Sequence, residues 1–556
     1  MGIALLKNIF FSLLFFSLTG FSQTLLDLNK FMIFPTPDGF TQTEPVATFH
    51  PSNSSMIFAS AVTFKVGSLF KSEGIYVSLD GGYMWTGNDT CTGESIINHG
   101  GDPGVAITQN GRFVLTHIAL SPFTGMYSNF SDDSGKTWSD NNLITSNQSE
   151  DKGTLAIDHS GQSSYQGRLY LTWVNYVDNP YAVRSSVSTD NGESWSLPLL
   201  VNPNRPSRSS GTSMAVANDG TVYLCWAGVT LDFPFHEDYV GFANSTNGGT
   251  SWNVNQNIFD MNGIAGLLSE KSNIKVNGIP QIGIDNSGGL RDGWLYIITT
   301  EINNAPAGSD PDIILHRSTD GGAAWSAGIR VNQDPLNNGK IQYFPNLDVD
   351  EYGNLNILFY DDRNTTSDSA SVFLTQSIDG GDSWTEFEIS NTTFKPKPIA
   401  GGSSNYQGDH IALISNDSQL NAFWMADYTG IYQVWSAVIN RNVLGVEDQM
   451  DYKPNSFSLA QNYPNPFNPT TKIRYQIPNV ISTERRNLLV SIKVFDVLGK
   501  EVATLVNEEK SPGNYEVEFN ASSLVSGIYF YQLKAVDPES SSGQSFVDTR
   551  KMILLK

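Results

Sequence analysis

Four consecutive residues, Tyr360-Asp361-Asp362-Arg363, form the densest chemical cluster in this 556-residue chain. Two carboxylates beside a guanidinium could supply the acid and the base of glycoside hydrolysis. Glu301 offers another carboxylate, also at the end of a strand-like run. The competing reading of the cluster is a salt-bridged loop that orders its surroundings and reacts with nothing. Asp409-His410 sets an imidazole beside an acid, a pairing that can ligate a metal, though one such pair does not define a site. Asp102, Asp151, Lys152, Asn175 and Asp427 sit at the ends of similar runs, and Tyr176, Tyr343 and Phe344 add aromatic surface of the kind sugars stack on. The acidic loops could take Ca2+, although none has the spacing of a recognised calcium loop. No cofactor motif is identified.

The elements that must position these groups are read from an internal repeat. The pattern Ser-x-Asp-x-Gly-x-x-Trp occurs as Ser78, Asp80, Gly82 and Trp85. It returns at Ser131, Asp133, Gly135 and Trp138, at Ser188, Asp190, Gly192 and Trp195, at Ser318, Asp320, Gly322 and Trp325, and at Ser377, Asp379, Gly381 and Trp384. A sixth copy, Ser245, Asn247, Gly249 and Trp252, has an amide in place of the acid, and six of the eleven tryptophans occupy this one position. The Ser and Asp side chains suit a tight turn in which they accept backbone N–H bonds. The Gly supplies positive φ, and the Trp buries a large ring between neighbouring sheets. These carboxylates are therefore read as structural.

Ahead of each turn lie two strand-like runs, such as Met214-Ala215-Val216 followed by Val222-Tyr223-Leu224-Cys225-Trp226. Each unit reads strand, turn, strand, loop, strand, tight turn, strand, which is one four-stranded propeller blade. A seventh unit, 411–439, has three strands and lacks the Asp turn. The run 30–34 could supply its fourth strand and close the ring, leaving no free edge. Seven blades is the first expectation; six blades plus a hairpin is the alternative. In such a ring, the loops after second strands and before first strands share one face, where function should gather.

The first 22 residues read as a signal peptide: Lys7, an apolar core from Ile9 to Leu18, then the small residues Gly20 and Ser22. That run is shorter than a membrane span requires, so no transmembrane span is expected after its removal. The formal charge is −23. Residues 453–556 carry 12 Lys+Arg against 10 Asp+Glu, which leaves 21 against 46 in the rest. So acidic a body repels phosphate backbones and disfavours nucleic acid, and the shift in charge density marks a domain boundary near residue 450. Cys91 and Cys225 are too few for a metal site, and Cys225 reads as a buried apolar thiol.

Across about 30–440 the repeated turns resemble the Asp boxes of the sialidase superfamily and related propellers. That resemblance implies an all-β propeller. True sialidases also bind a carboxylate with three arginines, the first near the start of the propeller, and use a Tyr–Glu pair with an Asp. Here no arginine precedes Arg112, and a guanidinium fork is hard to replace for carboxylate recognition, so sialic-acid hydrolysis is not expected. The segment from Phe457 to Ile473, with its core Gln461-Asn462-Tyr463-Pro464-Asn465-Pro466-Phe467-Asn468-Pro469, resembles the opening of type IX secretion sorting domains, as do Val494 to Val502 and Gly527 to Tyr531. That resemblance implies a Gram-negative, Bacteroidetes- or Chlorobi-like source, contact with the type IX machinery, and a small Ig-like sandwich removed or exchanged for a surface anchor.

The expected organisation is thus a signal peptide (1–22), a propeller (23–440), a linker (441–456) and a sorting domain (457–556). The expected function is a secreted or surface-anchored module that binds extracellular glycan or protein. The alternative is a glycoside hydrolase or lyase acting on extracellular polysaccharide, and an architectural surface-layer role is a third reading.

Overall fold

The structure, a computed structural model, describes residues 23–24, 29–32, 39–67, 71–91, 99–120, 123–146, 149–233, 235–390, 392–400, 402–416, 418–441, 457–459, 461–462, 464–477, 488–510, 513–536 and 545–556. The expected signal peptide and nearly all of the expected linker lie outside these residues. The chain divides into two units, 1–444 and 445–556.

Among its described residues the first unit holds six four-stranded antiparallel sheets, a seventh with a fifth strand added, and a two-stranded ribbon of Gly266–Leu268 and Ile274–Val276. Sheet one is Phe40–His50, Asn53–Lys65, Lys71–Ser78 and Thr86–Asn88. Sheet two is His99–Ile107, Phe113–Ala119, Gly125–Ser131 and Asn142–Thr145. Sheet three is Glu150–Ile157, Leu169–Asn175, Ala182–Ser188 and Leu199–Leu200. Sheet four is Arg208–Val216, Val222–Val229, Glu237–Ser245 and Asn253–Asp260. Sheet five is Gln281–Ile284, Leu295–Glu301, Asp312–Ser318 and Ile329–Arg330. Sheet six is Gln342–Val349, Leu355–Asp361, Ser371–Ser377 and Thr385–Glu388. Sheet seven is Ala412–Ser415, Gln419–Ala426 and Gln433–Asn440, completed by Asn29–Met32, whose Asn29 and Met32 pair with Val438 and Trp435. The expected N-terminal contribution is therefore present at residues 29–32, while Ile33 and Phe34 lie outside the described residues. A feature the sequence reading did not anticipate is a fifth strand on sheet six, Gln23–Thr24, running parallel to Phe387–Glu388.

The second strands are buried along their whole length in sheets two, three, five and six. Their continuous apolar runs have cover on both faces. That cover is the next sheet. Phe58 and Val77 of sheet one pack on Ile107 and Phe113 of sheet two. Similar clusters join sheets two and three, three and four, four and five, and five and six. Between sheets six and seven the Tyr360 hydroxyl donates to the Met425 carbonyl at 2.7 Å. Sheet seven then packs on sheet one through Ala412, Phe423 and Val434 against Ile57, Ala59 and Tyr76, so the series of interfaces returns to its start.

The Ser-x-Asp turns join third to fourth strands. In the first, the Gly82 amide donates to Ser78 Oγ at 2.8 Å, the Ser78 hydroxyl donates to Asp80 Oδ1 at 2.9 Å, and the Tyr83 and Met84 amides donate to that same oxygen. Gly82 has φ 98°, a conformation that disfavours a side chain. Asn247 substitutes its amide oxygen for the carboxylate, accepting from the Ser251 amide at 3.0 Å. The Trp rings reach the preceding sheet. Trp195 donates to Ser128 at 2.8 Å, Trp252 to Ser185 at 3.0 Å, and Trp85 lies edge-on to Phe423 with ring centroids 5.7 Å apart.

The second unit has a three-stranded and a four-stranded sheet, with Ile473, Val490, Ile492, Tyr531, Leu533 and Met552 in one buried core. Cys225 is a buried free thiol, and burial pushes it well above the usual thiol range.

Ser188→Ala tests the turns. Ser188 Oγ is buried, accepts from Gly192 at 2.9 Å and donates to Asp190 at 2.8 Å. Its loss should lower the unfolding free energy by about 1–3 kcal/mol, read by urea titration of tryptophan fluorescence; an unchanged midpoint would show that the turn does not hold its sheet.

Candidate functional site

The innermost strands of five sheets carry the same irregularity. Between Thr43 and Val46, Gly101 and Gly104, Asp151 and Thr154, Ser210 and Ser213, and Tyr343 and Asn346, two residues lie opposite one on the neighbouring strand. These are β-bulges. The first bulged residue has positive φ in every case: Glu44 at 53°, Asp102 at 55°, Lys152 at 51°, Gly211 at 61° and Phe344 at 51°. Outside glycine that conformation costs about 1–2 kcal/mol per residue, and such strain collects at functional sites. Each bulge lies near the start of a first strand, on the face opposite the Ser-x-Asp turns.

Three of these residues converge with the 406–410 segment. The Lys152 ammonium ion-pairs with Asp409, and the Lys152 amide donates to Asp102 Oδ2 at 2.7 Å. Asp409 also faces His410 Nδ1 at 3.2 Å. A Glu44 carboxyl oxygen lies within 4.8 Å of Asp409, and burial, with the charge of Glu44, raises the Tyr406 hydroxyl well above its usual range. At the flank, the Tyr176 hydroxyl donates to Asp151. Glu237, the first residue of its strand, accepts the Gly278 amide at 2.6 Å and feels the charges of Lys152 and Asp409.

The environment splits these carboxyls into two kinds. Burial, reinforced by Asp409 and Asp102, holds Glu44 well above the usual carboxylate range. Burial also disfavours the charge on Asp409, but Lys152 and His410 outweigh it and hold Asp409 well below that range. Glu44 therefore keeps its proton while Asp409 is ionised. An acid and a base whose environments push them apart can exchange a proton with a bound substrate. Burial, then Asp102, pushes Asp151 up to about 7, and burial pushes Glu237 up to about 7.

Glu44, Asp409 and His410 bring potential ligand atoms within 4.8 Å of one another, the one such group of three among the described residues. The Lys152 ammonium already provides the counter-charge to Asp409, so the donor set suits proton transfer better than a divalent cation.

Among the residues singled out from the sequence, Asp102, Asp151, Lys152, Tyr176, Asp409 and His410 are thus brought together. Others are placed elsewhere. Asp361 and Asp362 are fully buried. Asp362 accepts from Lys271 Nζ and, at 2.9 Å, from the Ile341 amide; the Arg363 guanidinium forks onto Asp361 and Glu386. Tyr360 is spent on Met425. Glu301 is buried, accepting from Thr299 and Asn304 at 2.8 Å. None of these carboxylates shares a partner with Asp409. Tyr343 and Phe344, expected as exposed stacking surface, are instead buried against Tyr360, with Tyr343 centroids 5.1 Å from both other rings; large rings at the inner ends of crowded strands fill the core. Asp427 ion-pairs with Lys397 at a separate place. The Asn175 amide donates to both oxygens of Glu150 at 3.0 Å.

Glu44, Tyr406 and Glu237 were missed. A usable signal existed for Glu44: Glu44-Pro45, Asp102-Pro103 and Phe344-Pro345 are three X-Pro pairs in equivalent places, with Lys152-Gly153 a fourth variant.

Residues 461–545 match the family described as a secretion system C-terminal sorting domain. No curated protein matches the chain. Among solved structures, an ulvan lyase of a polysaccharide lyase family is 11% identical, with a TM-score of 0.45, covering 72% of this chain and 95% of its own. An α-L-arabinofuranosidase from Fusarium graminearum is 14% identical with a TM-score of 0.39, covering 61% and 92%. A leech intramolecular trans-sialidase is 12% identical with a TM-score of 0.39, covering 63% and 68%. No helix among the described residues is long and apolar enough to cross a membrane.

Glu237→Gln tests the buried proton. A carboxyl raised from 4.5 to about 7 on folding contributes its full stability below 4.5 and loses it as pH climbs to about 7. At pH 8 the parent then carries a penalty on the order of 3 kcal/mol that the amide, still able to accept from Gly278, avoids. The variant should melt higher than the parent at pH 8 and no higher at pH 4; equal shifts at both pH values would refute the assignment.

Proposed function

We propose that this is an exported glycan-binding protein: a signal peptide (1–22), a seven-bladed β-propeller of the Asp-box type (23–440), a linker (441–456) and an Ig-like sorting sandwich (457–556). In this reading the type IX machinery of a Gram-negative bacterium recognises the C-terminal domain, which is then removed or exchanged for a surface anchor. The family match at 461–545 supports export. The observation that carries the binding site is the convergence of bulged residues from three sheets, Glu44, Asp102 and Lys152, on Asp409. Carboxyls, an ammonium and the flanking Tyr176 ring offer the hydrogen bonds and stacking surface that sugar hydroxyls and ring faces require.

A second reading is favoured by the placing of two unlike carboxyls within 4.8 Å of each other, Glu44 held well above the usual carboxylate range by burial and Asp409, ion-paired with Lys152, held well below it. If a glycosidic bond sits between them, Glu44 is poised to protonate the leaving oxygen and Asp409 to act as base, giving a hydrolase or lyase. Sialic acid is a poor fit for either reading, because no arginine precedes Arg112.

Calorimetric titration of the mature protein with a polysaccharide panel tests the binding site. Lys152→Ala and Asp409→Asn should each weaken binding at least about tenfold; parent-like affinity in both would remove the mouth as the site. Release of reducing ends or unsaturated sugars, abolished by Glu44→Gln, would establish turnover, whereas no product from any bound glycan would leave a binding protein. Deleting 457–556 should retain the protein inside the outer membrane, seen by cell fractionation.

A further inference from the structure

The first unit contains ten arginines, at 112, 168, 184, 205, 208, 291, 317, 330, 363 and 441. Nine of these guanidinia donate hydrogen bonds within the protein, to carboxylates or to backbone carbonyls. Arg208 is the exception. Its side chain makes no hydrogen bond or ion pair with any described residue, and its guanidinium carbon stacks over two aromatic rings, 5.1 Å from the Tyr181 centroid and 4.2 Å from that of Phe235. In a body carrying 46 Asp+Glu against 21 Lys+Arg, an arginine without an anion runs against the local composition.

Its surroundings are equally distinctive. Arg208 begins the first strand of sheet four, on the same face as the bulged residues. Tyr181 follows the second strand of sheet three, and Phe235 follows that of sheet four. The Tyr181 ring lies 4.6 Å from Tyr176, whose hydroxyl donates to Asp151. Phe235 lies 6.0 Å from Phe233, which is 86% exposed. A strip of rings thus runs from the charged mouth outward, with one unpaired guanidinium held in its middle. Stacking against rings leaves the N–H edge of a guanidinium free for a planar or tetrahedral anion, and ring faces accept the C–H faces of sugars.

We propose that Tyr176, Tyr181, Arg208, Phe235 and Phe233 form a subsite for an acidic sugar of a polysaccharide, with Arg208 taking its sulfate or carboxylate group. The inference rests on the glycan-binding reading above and names the class of glycan. An acidic ligand is compatible with the neighbouring mouth, since Glu44 retains its proton and Asp151 is pushed up to about 7.

The test titrates the mature protein with carrageenan and its desulfated form, and with polygalacturonate and its carboxyl-reduced form, which separate the two sources of charge. The parent should bind one charged glycan at least about tenfold more tightly than its neutralised counterpart. Arg208→Ala should erase that difference while leaving the affinity for the neutral form, and Phe233→Ala should weaken both. Arg208→Gln serves as a second variant, and an unchanged melting temperature in either shows that folding is intact. Equal affinity for charged and neutral forms, parent-like binding by both Arg208 variants, or no binding of either charged glycan would each overturn the proposal. A neutral glycan that is lost with Lys152→Ala but indifferent to Arg208→Ala overturns this inference alone, whereas a protein that binds no glycan at all overturns both readings.

Discussion

A sheet whose central strand is apolar on both faces cannot stand at the end of a row. In the first unit the second strands of sheets two, three, five and six are buried along their whole length, and each sheet has a neighbour on both sides, the last against the first. The tryptophan of each Ser-x-Asp turn strengthens the arrangement locally by crossing to the preceding sheet and, in two cases, hydrogen-bonding a serine there. Burial worth about 25 cal/mol per Å2 of apolar surface is thereby distributed over all the interfaces. Removing one sheet would expose two faces.

The same constraint builds the site. Strands that converge on a common centre bring their early residues close together, and the extra residue of each bulge turns a side chain toward that centre. Crowding carboxyls there forces a division of charge. Burial holds Glu44 well above the usual carboxylate range, while Lys152 holds Asp409 well below it despite its own burial. The mouth is consequently less anionic than its formal composition, and its chemistry is that of shared protons. The buried ions elsewhere have a different character: Lys271 with Asp362, and Arg363 with Asp361 and Glu386, are mutually satisfied and present nothing to a ligand.

The repeat was legible because its spacing is rigid and its chemistry local. A serine, an acid, a glycine and a tryptophan within eight residues specify a turn whatever surrounds them, and alternating strand runs between the turns supply the rest. The site was only partly legible. Asp102, Asp151, Lys152, Tyr176, Asp409 and His410 could be placed on one face from topology, yet the sequence does not say which loops meet across the centre. The salt-bridged reading of Tyr360-Asp361-Asp362-Arg363 is the one its contacts support: the charges are adjacent, and adjacency is what lets them neutralise one another. Glu44 escaped notice because an isolated acid before a proline carries no chemical signature until the bulge is seen to recur. Arg208 could not have been distinguished from the other arginines without knowing who their partners are.

The pairing of Asn29–Met32 with Val438–Trp435 bears on how the molecule comes into being. An early strand finds its place beside one of the last of its unit, so the contact has a very large sequence separation and must await nearly the whole unit. Long-range pairing of this kind is slow, because loop-closure entropy is met before any contact rewards it. Until that clasp forms, sheet seven presents a bare edge, and a chain interrupted anywhere before residue 438 has no means of covering it. The N-terminal segment thus acts as a latch whose engagement marks the completed ring, which makes protection of residues 29–32 from proteolysis a direct report of correct folding.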